Sequence, residues 1–175
     1  MKNTDTKERI LELLFIFPTR KFHVREISRL IKISAPAISK SVKQLEKEDL
    51  IESKKKLTYE IWANLSNENF KNMKRIYNFK SIYSSGLFNY LSENFPLDTI
   101  IFFGSYSRGD DIEKSDIDIA IIGKEKKLDL KKFESILKRI INVEFINLKK
   151  ISKELRNSII NGIVLTGYII LNGKF

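Results

Sequence analysis

Two acidic residues interrupt an apolar stretch past the middle of this 175-residue chain. Asp116 and Asp118 stand in the sequence SDIDIAIIG, where they alternate with isoleucines. This alternation predicts a β-strand whose isoleucines face one side and whose acids face the other. Residues two apart on a strand lie roughly 7 Å from each other, so the two carboxylates can converge on a common point.

Two carboxylates held this close repel each other, which would raise the pKa of one of them unless a cation lies between them. A hard divalent cation with oxygen ligands resolves the conflict. Mg²⁺ is the usual choice where phosphate groups complete the coordination shell. The paired acids therefore predict a magnesium site that works together with a phosphate-bearing substrate.

A third acid is predicted on a later strand. Glu144 alternates with apolar neighbours in the sequence INVEFINL, which places it on the opposite face from Val143 and Phe145. If this strand pairs beside the strand that carries the two aspartates, Glu144 projects near them. The sequence thus predicts three carboxylates around one site.

A candidate phosphate cradle precedes the acids. The apolar run from Ile100 to Phe103 predicts a buried strand that enters a tight loop at Gly104 and Ser105. Such a loop lets the backbone approach phosphates closely and offers a hydroxyl and N–H groups to their oxygens. Arg108 and Lys114 add positive charge. Metal ions, a phosphate cradle and an acceptor held in line are the parts that phosphoryl transfer needs.

These residues, in this order, resemble the signature of the polymerase-β-type nucleotidyltransferases, and most of all their minimal branch. The shared pattern is Gly-Ser, then Arg-Gly at 108–109, then Ser-Asp-Ile-Asp at 115–118, then an acid on a later strand. The resemblance covers about residues 85–175. It implies that Gly104, Ser105 and Arg108 bind the triphosphate of an incoming nucleotide.

The resemblance also implies the roles of the acids. Asp116 and Asp118 would each hold Mg²⁺, and Glu144 would help to bind the catalytic metal and draw the proton from an attacking hydroxyl. The implied reaction is attack of an acceptor hydroxyl on the α-phosphate of an NTP or dNTP, with release of pyrophosphate. Two Mg²⁺ ions, or Mn²⁺ in their place, would stabilise the attacking and leaving oxygens. The third acid of the family is usually Asp, so Glu144 is a departure by one methylene.

Positive charge is concentrated in the first half of the chain. The net charge is +10, and residues 1–80 hold 18 Lys/Arg against 10 Asp/Glu, while residues 81–175 hold 14 against 12. A basic unit attracts polyanions, of which nucleic acid is the commonest. The first half is therefore the candidate nucleic-acid-binding region.

Three helices and a hairpin are predicted there. Thr4 or Asp5 caps a first helix that Pro18 ends, and the sequence HVREISRLIK forms a second. Ser34 caps a third helix with Pro36 in its first turn. The sequence LIESKKKLTYEIWAN predicts two strands around a lysine-rich turn. The predicted buried face of the third helix consists of Ile38, Val42 and Leu45.

This order resembles the winged helix-turn-helix domains of transcription regulators, over roughly residues 5–65. The resemblance implies that the third helix enters the major groove and that the hairpin, or wing, lies along the phosphates. The implied nucleic-acid contacts are Pro36, Ser39, Lys40, Lys43 and Gln44 on the helix and Lys54, Lys55 and Lys56 on the wing. Short trihelical domains with a hairpin also mediate protein contacts, which is the alternative for this region.

The predicted fold class is α+β. A winged helix-turn-helix domain at residues 1–65 leads through a helical linker at 66–84 to a minimal nucleotidyltransferase domain at 85–175, whose mixed sheet is flanked by helices like the palm of polymerase β. Asp110, Asp111 and Glu113 lie in a loop and are expected to be solvated. The chain has no cysteine, a charged start and no apolar run long enough to span a bilayer, so we expect a cytoplasmic protein without a membrane partner.

Three functions fit this reading. The first is a Mg²⁺-dependent nucleotidyltransferase whose acceptor is a DNA or RNA end recruited by the winged helix. The second is an antitoxin that transfers AMP to a ribonuclease-type toxin protein and binds DNA for autoregulation. The third is a DNA-binding transcription regulator in which the transferase domain senses nucleotide or is inactive.

Overall fold

The computed structural model describes residues 5–55 and 59–170. The chain divides into two compact units, Met1–Tyr77 and Asn78–Phe175. The division falls within a long helix, α4, that spans Glu68–Ser84. The boundaries drawn from the sequence, at residues 65 and 85, stay predictions. No helix within the described ranges is long and apolar enough to cross a membrane.

Ahead of α4, the described residues of the first unit form three helices and a small antiparallel sheet in the strand order β1-β3-β2. Its elements ahead of α4 are α1 Thr6–Ile16, β1 Phe22–His23, α2 Val24–Ile31, α3 Ala35–Lys47, β2 Ile51–Lys55 and β3 Tyr59–Ala63. The predicted helices and hairpin are therefore present. The short strand β1, which pairs with β3 through Phe22 and Ile61, was not predicted.

Local signals in the sequence fix where these helices begin. Asp5 is the N-cap of α1, and its carboxylate accepts a hydrogen bond of 3.2 Å from the backbone N–H of Lys7. Ser34 is the N-cap residue of α3, and Pro36 lies in the first turn as predicted. The predicted inner face of α3 is fully buried in the core of this unit, as shown by Ile38, Val42 and Leu45.

A small polar cluster joins α3 to both strands of the hairpin. The Tyr59 hydroxyl of β3 donates a hydrogen bond of 2.6 Å to the Glu46 carboxylate of α3. Ser53 of β2 donates to the Tyr59 hydroxyl at 2.9 Å and also contacts Glu46. Burial, followed by the hydrogen bond to Glu46, raises the pKa of Tyr59 above its ordinary value. The cluster holds the hairpin in a fixed position against α3.

The second unit is a four-stranded mixed sheet with helices on both faces, in the strand order β6-β5-β4-β7. Strands β5 and β6 are parallel, and the other pairs are antiparallel. Its elements after α4 are α5 Leu87–Asn94, β4 Thr99–Phe103, α6 Gly104–Arg108, β5 Ile117–Ile122, α7 Lys131–Leu137, β6 Ile141–Phe145, α8 Lys153–Ile160 and β7 Ile163–Thr166.

The predicted alternation along β5 separates two hydrophobic clusters. One face of the sheet packs Ile117, Ile119 and Ile121 of β5 against Leu87 and Leu91 of α5. The opposite face packs a second cluster made of Ile101, Phe103, Ala120, Ile146 and Ile159. Because both faces are covered, a polar side chain of β5 finds solvent only near the end of the strand.

Candidate active site

The candidate site begins where β4 turns into α6. Phe103, the last residue of β4, pairs with Asp118 of β5. Gly104 follows with φ +78°, and a Cβ atom built on it would lie 2.1 Å from Oδ2 of Asp118. Only glycine combines this left-handed conformation with so close an approach to the carboxylate. The sequence predicted a tight loop at Gly104 and Ser105, and the structure has a short helix there instead.

Helix α6 is held by hydrogen bonds of its own residues. The buried Ser107 hydroxyl donates to the carbonyl oxygen of Gly104 at 2.8 Å. Ser105 is half-buried in the first turn, and Arg108 is exposed in the last. The Arg108 guanidinium donates to Asp110 at 3.2 Å. The three residues predicted to bind a triphosphate therefore lie on one short helix that leads directly from β4.

The two aspartates flank the start of β5. Asp116 is exposed and comes just before the strand, and Asp118 is half-buried as its second residue. Burial is the largest cause that raises the pKa of Asp118, and the charge of Asp116 raises it further. A hydrogen bond from Asn142 and the charge of Arg108 act in the opposite direction. The repulsion that the sequence predicted is present, but burial exceeds it.

The donor chemistry of this pair fits a hard divalent cation. Asp116 and Asp118 offer carboxylate oxygens, the ligands that Mg²⁺ and Mn²⁺ take from proteins. Gly104 places no side chain in front of Asp118. Within the described ranges, however, no three His, Cys, Asp or Glu side chains group closely enough to hold a metal ion. Asp116 and Asp118 are the residues that would hold such a cation, together with phosphate oxygens and water.

The register of β6 places the predicted third acid, Glu144, farther along the sheet than Asp118. Strand β6 pairs beside β5, as the sequence prediction required, but Asn142 lies opposite Asp118 and Glu144 lies opposite Ala120. Glu144 is half-buried on the same sheet face as Asp118, two residues farther along β6. That step is roughly 7 Å by strand rise. Sequence reasoning missed Asn142 because the pairing register of two distant strands leaves no local signal.

A buried polar cluster supports α6 and the segment that follows it. Asp111 is 1% exposed and pairs with Arg139, whose Nη2 lies 3.7 Å from Asp111 Oδ2. The buried Asn78 amide donates to Asp111 Oδ1 at 2.7 Å and to the Tyr106 carbonyl oxygen at 2.9 Å. The expectation that Asp111 is solvated is wrong, because Arg139 supplies a buried positive charge. Its neighbour Asp110 is exposed.

The predicted nucleic-acid contacts of the first unit lie on the outer side of α3 and on the hairpin. Pro36, Lys40, Lys43 and Gln44 are exposed, Ser39 is half-buried and Lys54 is exposed on β2. The backbone of Lys55 belongs to β2, and Lys56 lies outside the described residues. These positions face away from the buried side of α3, as helical periodicity requires.

Helix α2 carries a basic feature that sequence reasoning missed. Arg25 and Arg29 are exposed one turn apart, and with Ser28 they line a hollow on the surface of the first unit. The signal available in the sequence was their i, i+4 spacing, which places both guanidinium groups on one face of a helix. The two arginines belong to the unit that carries most of the excess of basic residues.

Two family matches agree with this arrangement. Residues 86–168 match the family described as polymerase beta, nucleotidyltransferase. Residues 4–53 match the family described as bacterial regulatory protein, arsR family. The chain thus joins an ArsR-family helix-turn-helix domain to a polymerase-β-type nucleotidyltransferase domain, and the predicted fusion and α+β fold class are confirmed. No curated protein and no solved structure matches the chain.

Proposed function

We propose that the second unit transfers a nucleoside monophosphate from an NTP or dNTP to an acceptor hydroxyl and releases pyrophosphate. The observation that carries this proposal is the packing of Asp118 against the backbone of Gly104, with Asp116 exposed beside it. The pair lies within the residues that match the nucleotidyltransferase family. A carboxylate pair beside a glycine turn suits phosphoryl transfer because it can hold a metal and a phosphate together.

The residues of the proposed site would bind either the metal ion or the triphosphate. Asp116 and Asp118 would hold Mg²⁺, or Mn²⁺ in its place, through their carboxylates. When bound, the metal supplies positive charge to the attacking and leaving oxygens, and two such ions are expected. Ser105 would donate its hydroxyl to the triphosphate, and Arg108 would add its guanidinium. Gly104 would let the backbone approach the phosphates.

Glu144 stays the sequence-based candidate for the acid that draws the proton from the acceptor hydroxyl. Its position on the same face as Asp118 is compatible with a role near the site, and its offset along β6 makes direct sharing of a metal with Asp116 and Asp118 less favourable. Replacement by glutamine tests the role, because the amide keeps the size of the side chain and removes its basicity.

We further propose that the acceptor is a DNA or RNA end delivered by the first unit. The exposed basic residues of α3 and the wing support this proposal, because cations spaced along a helix bind phosphates in a way that depends on salt. The ArsR-family match supports binding of DNA by the same unit. Neither family description supports a ribonuclease-type toxin as the acceptor.

The test is a transfer assay with the full chain. The protein is incubated with Mg²⁺ and each NTP and dNTP labelled at the α-phosphate, and single-stranded DNA, duplex DNA, tRNA and cell lysate are offered in turn. The matched control is the Asp116→Ala/Asp118→Ala double variant. Label that enters a nucleic acid only with the wild-type protein supports the proposal. Label on a protein band from lysate would redirect it to a protein acceptor, and no acid-dependent label on any acceptor would sink it.

A second candidate function is favoured by the ArsR-family match alone. In this alternative the chain is a DNA-binding regulator, and the second unit binds nucleotide without transferring it. The discriminating measurement is the affinity for duplex DNA with and without NTP. A change in affinity with NTP, together with no transfer to any acceptor, would favour regulation over catalysis.

A further inference from the structure

The residue that lies next to Asp118 on the neighbouring strand is uncharged. Strands β5 and β6 run parallel, and Asn142 of β6 is the register partner of Asp118. Register partners in neighbouring strands project from the same face of the sheet. Asn142 therefore lies beside Asp118, and Glu144 lies two residues farther along β6.

Asn142 is exposed, and a hydrogen bond from its side chain acts to lower the pKa of the neighbouring Asp118 carboxyl. An ionised carboxylate only accepts hydrogen bonds, so the amide N–H of Asn142 is the donor. On the other side, the backbone of Gly104 lies so close to Oδ2 of Asp118 that a Cβ atom there would be 2.1 Å from the oxygen. Asp118 thus lies beside Asn142 of β6 on one side and beside the backbone of Gly104, at the β4–α6 turn, on the other.

A third carboxylate at position 142 would act differently. Like charges that lie directly opposite each other in a sheet destabilise it, and Asp116 already adds one negative charge beside Asp118. An amide orients the carboxylate without adding charge. A hydrogen bond from an amide restricts the rotation of the Asp118 side chain, which lowers the entropy lost when the carboxylate binds a cation.

We propose that Asn142 is a positioning residue of the transferase site, which holds the Asp118 carboxylate in place for a divalent cation by donating a hydrogen bond to it. This inference rests on the proposed function of the second unit. It goes beyond that function by giving the position opposite Asp118 to an amide donor on the edge strand β6. Asn142 acts through Asp118 and does not itself touch the reacting atoms.

The test compares three variants of the full chain. Asn142→Leu keeps the approximate size of the side chain and removes the donor, and Asn142→Gln keeps an amide donor on a longer side chain. Asn89→Leu, at an exposed position of α5, is the control for an exposed leucine. The affinity for Mn²⁺ is measured by titration calorimetry without nucleotide, and kcat and KM for the nucleotide are measured separately. Melting temperatures show whether each variant folds.

We expect Asn142→Leu to weaken Mn²⁺ affinity and lower kcat by about tenfold each, the size typical of a lost hydrogen bond to a charged group. The KM for the nucleotide should stay within about twofold, because the phosphate contacts belong to α6. Asn142→Gln should recover part of both losses, and Asn89→Leu should match the wild type. A role in folding alone would instead lower the melting temperature and leave Mn²⁺ affinity unchanged.

The outcomes separate this inference from the proposed function. Wild-type affinity for Mn²⁺ in Asn142→Leu overturns the positioning role, as does an equal loss in Asn142→Leu and Asn142→Gln. If the wild-type protein binds Mn²⁺ but transfers no nucleotide, the proposed reaction fails, and the affinities of the variants still decide the role of Asn142. A wild-type protein that binds no Mn²⁺ without nucleotide overturns the positioning role, and the transfer assay then decides the proposed reaction by itself.

Discussion

The two units place their functional side chains by different means. In the first unit, α3 presents Lys40, Lys43 and Gln44 to solvent because Ile38 and Val42 occupy the buried side of the same helix. Only the period of the helix is needed to position them. In the second unit, the site depends on the turn after β4, the start of β5 and the register of β6.

This difference determines how each region should respond to substitution. Several exposed lysines attract the phosphates together, and this attraction acts over several ångströms. The loss of one lysine is therefore partly compensated by the others. A carboxylate pair that binds one cation has no such tolerance, because a shift of two residues along a strand moves an oxygen by roughly 7 Å. We therefore expect graded effects in the first unit and steep, local effects in the second.

The largest effect is expected from loss of both aspartates. Asp116→Ala/Asp118→Ala should lower nucleotide transfer by about 1,000-fold or more, since the proposed metal would lose all its carboxylate ligands. Transfer is measured with labelled NTP under saturating Mg²⁺. Binding of duplex DNA, measured by fluorescence anisotropy, should be unchanged. If the double variant loses DNA affinity along with transfer, DNA binding by the first unit is not independent of the acids in the second.

The next largest effect is expected at the buried acid behind the site. Asp111→Ala should lower the free energy of unfolding by about 3 kcal/mol, because it leaves Arg139 buried beside an empty position. Asp110→Ala, one residue away but exposed, should change it by less than about 0.5 kcal/mol. Urea unfolding of both variants gives the comparison. Equal stabilities would mean that the ion pair to Arg139 contributes nothing to the fold.

Two glycines with similar backbone angles sharpen the comparison further. Gly104 and Gly86 have φ +78° and +81°, but a Cβ at Gly86 would meet its nearest neighbour, in Phe133, at 3.9 Å. Alanine at either position should cost about 1 kcal/mol of stability from the left-handed backbone. Only Gly104→Ala also pushes against Asp118, so it alone should lower transfer, by about tenfold to 100-fold.

Stability and transfer are measured on both glycine variants under the same conditions. Loss of transfer in Gly86→Ala as large as in Gly104→Ala would mean that backbone strain, and not the contact with Asp118, controls activity. Retained transfer in Gly104→Ala would mean that the carboxylate moves aside without consequence. Either result would remove the main geometric support for the proposed site.

What the sequence predicts well are the features that repeat along a single element. The solvent side of α3 follows from the spacing of Ile38, Val42 and Leu45, and the two faces of β5 follow from strict alternation. Both depend only on the geometry of one helix or one strand. This is why the candidate residues of α3 and the acids at the start of β5 could be proposed before the fold was known.

What the sequence does not reveal are pairings between distant segments. Nothing local to Asn142 shows that it lies opposite Asp118, because the register of β6 is set by how the sheet as a whole packs. Nothing near Asp111 shows that Arg139 will be buried beside it. Acids in a loop are usually solvated, so the buried pair follows only from tertiary structure. The offset of Glu144 from Asp118 along β6 depends on the same register, and its predicted role stays a prediction.

A smaller and graded effect is expected in the first unit. Lys40→Ala/Lys43→Ala should weaken DNA binding and reduce the slope of log affinity against log salt by roughly two, about one for each lost phosphate contact. The matched control is Lys131→Ala/Lys132→Ala, which removes two exposed lysines of α7 in the second unit. Anisotropy titrations at several salt concentrations give the slopes. Equal slopes for the two double variants would show that net charge, and not α3, governs binding.

The smallest effect is expected on the stability of the fold, which the half-buried charge of Asp118 lowers. Because burial raises the pKa of Asp118, its ionised form is disfavoured in the folded state, and this penalty is complete above the folded-state pKa. Asp118→Asn removes the charge and should raise the melting temperature slightly at pH 7 in EDTA. The gain should shrink as the pH falls through the folded-state pKa and vanish below about 4, the ordinary value for Asp. Glu125→Gln, at an exposed position, should show no such gain. A lower melting temperature for Asp118→Asn at pH 7 would mean that the contacts from Asn142 and Arg108 outweigh burial, and that the site is stable without a cation.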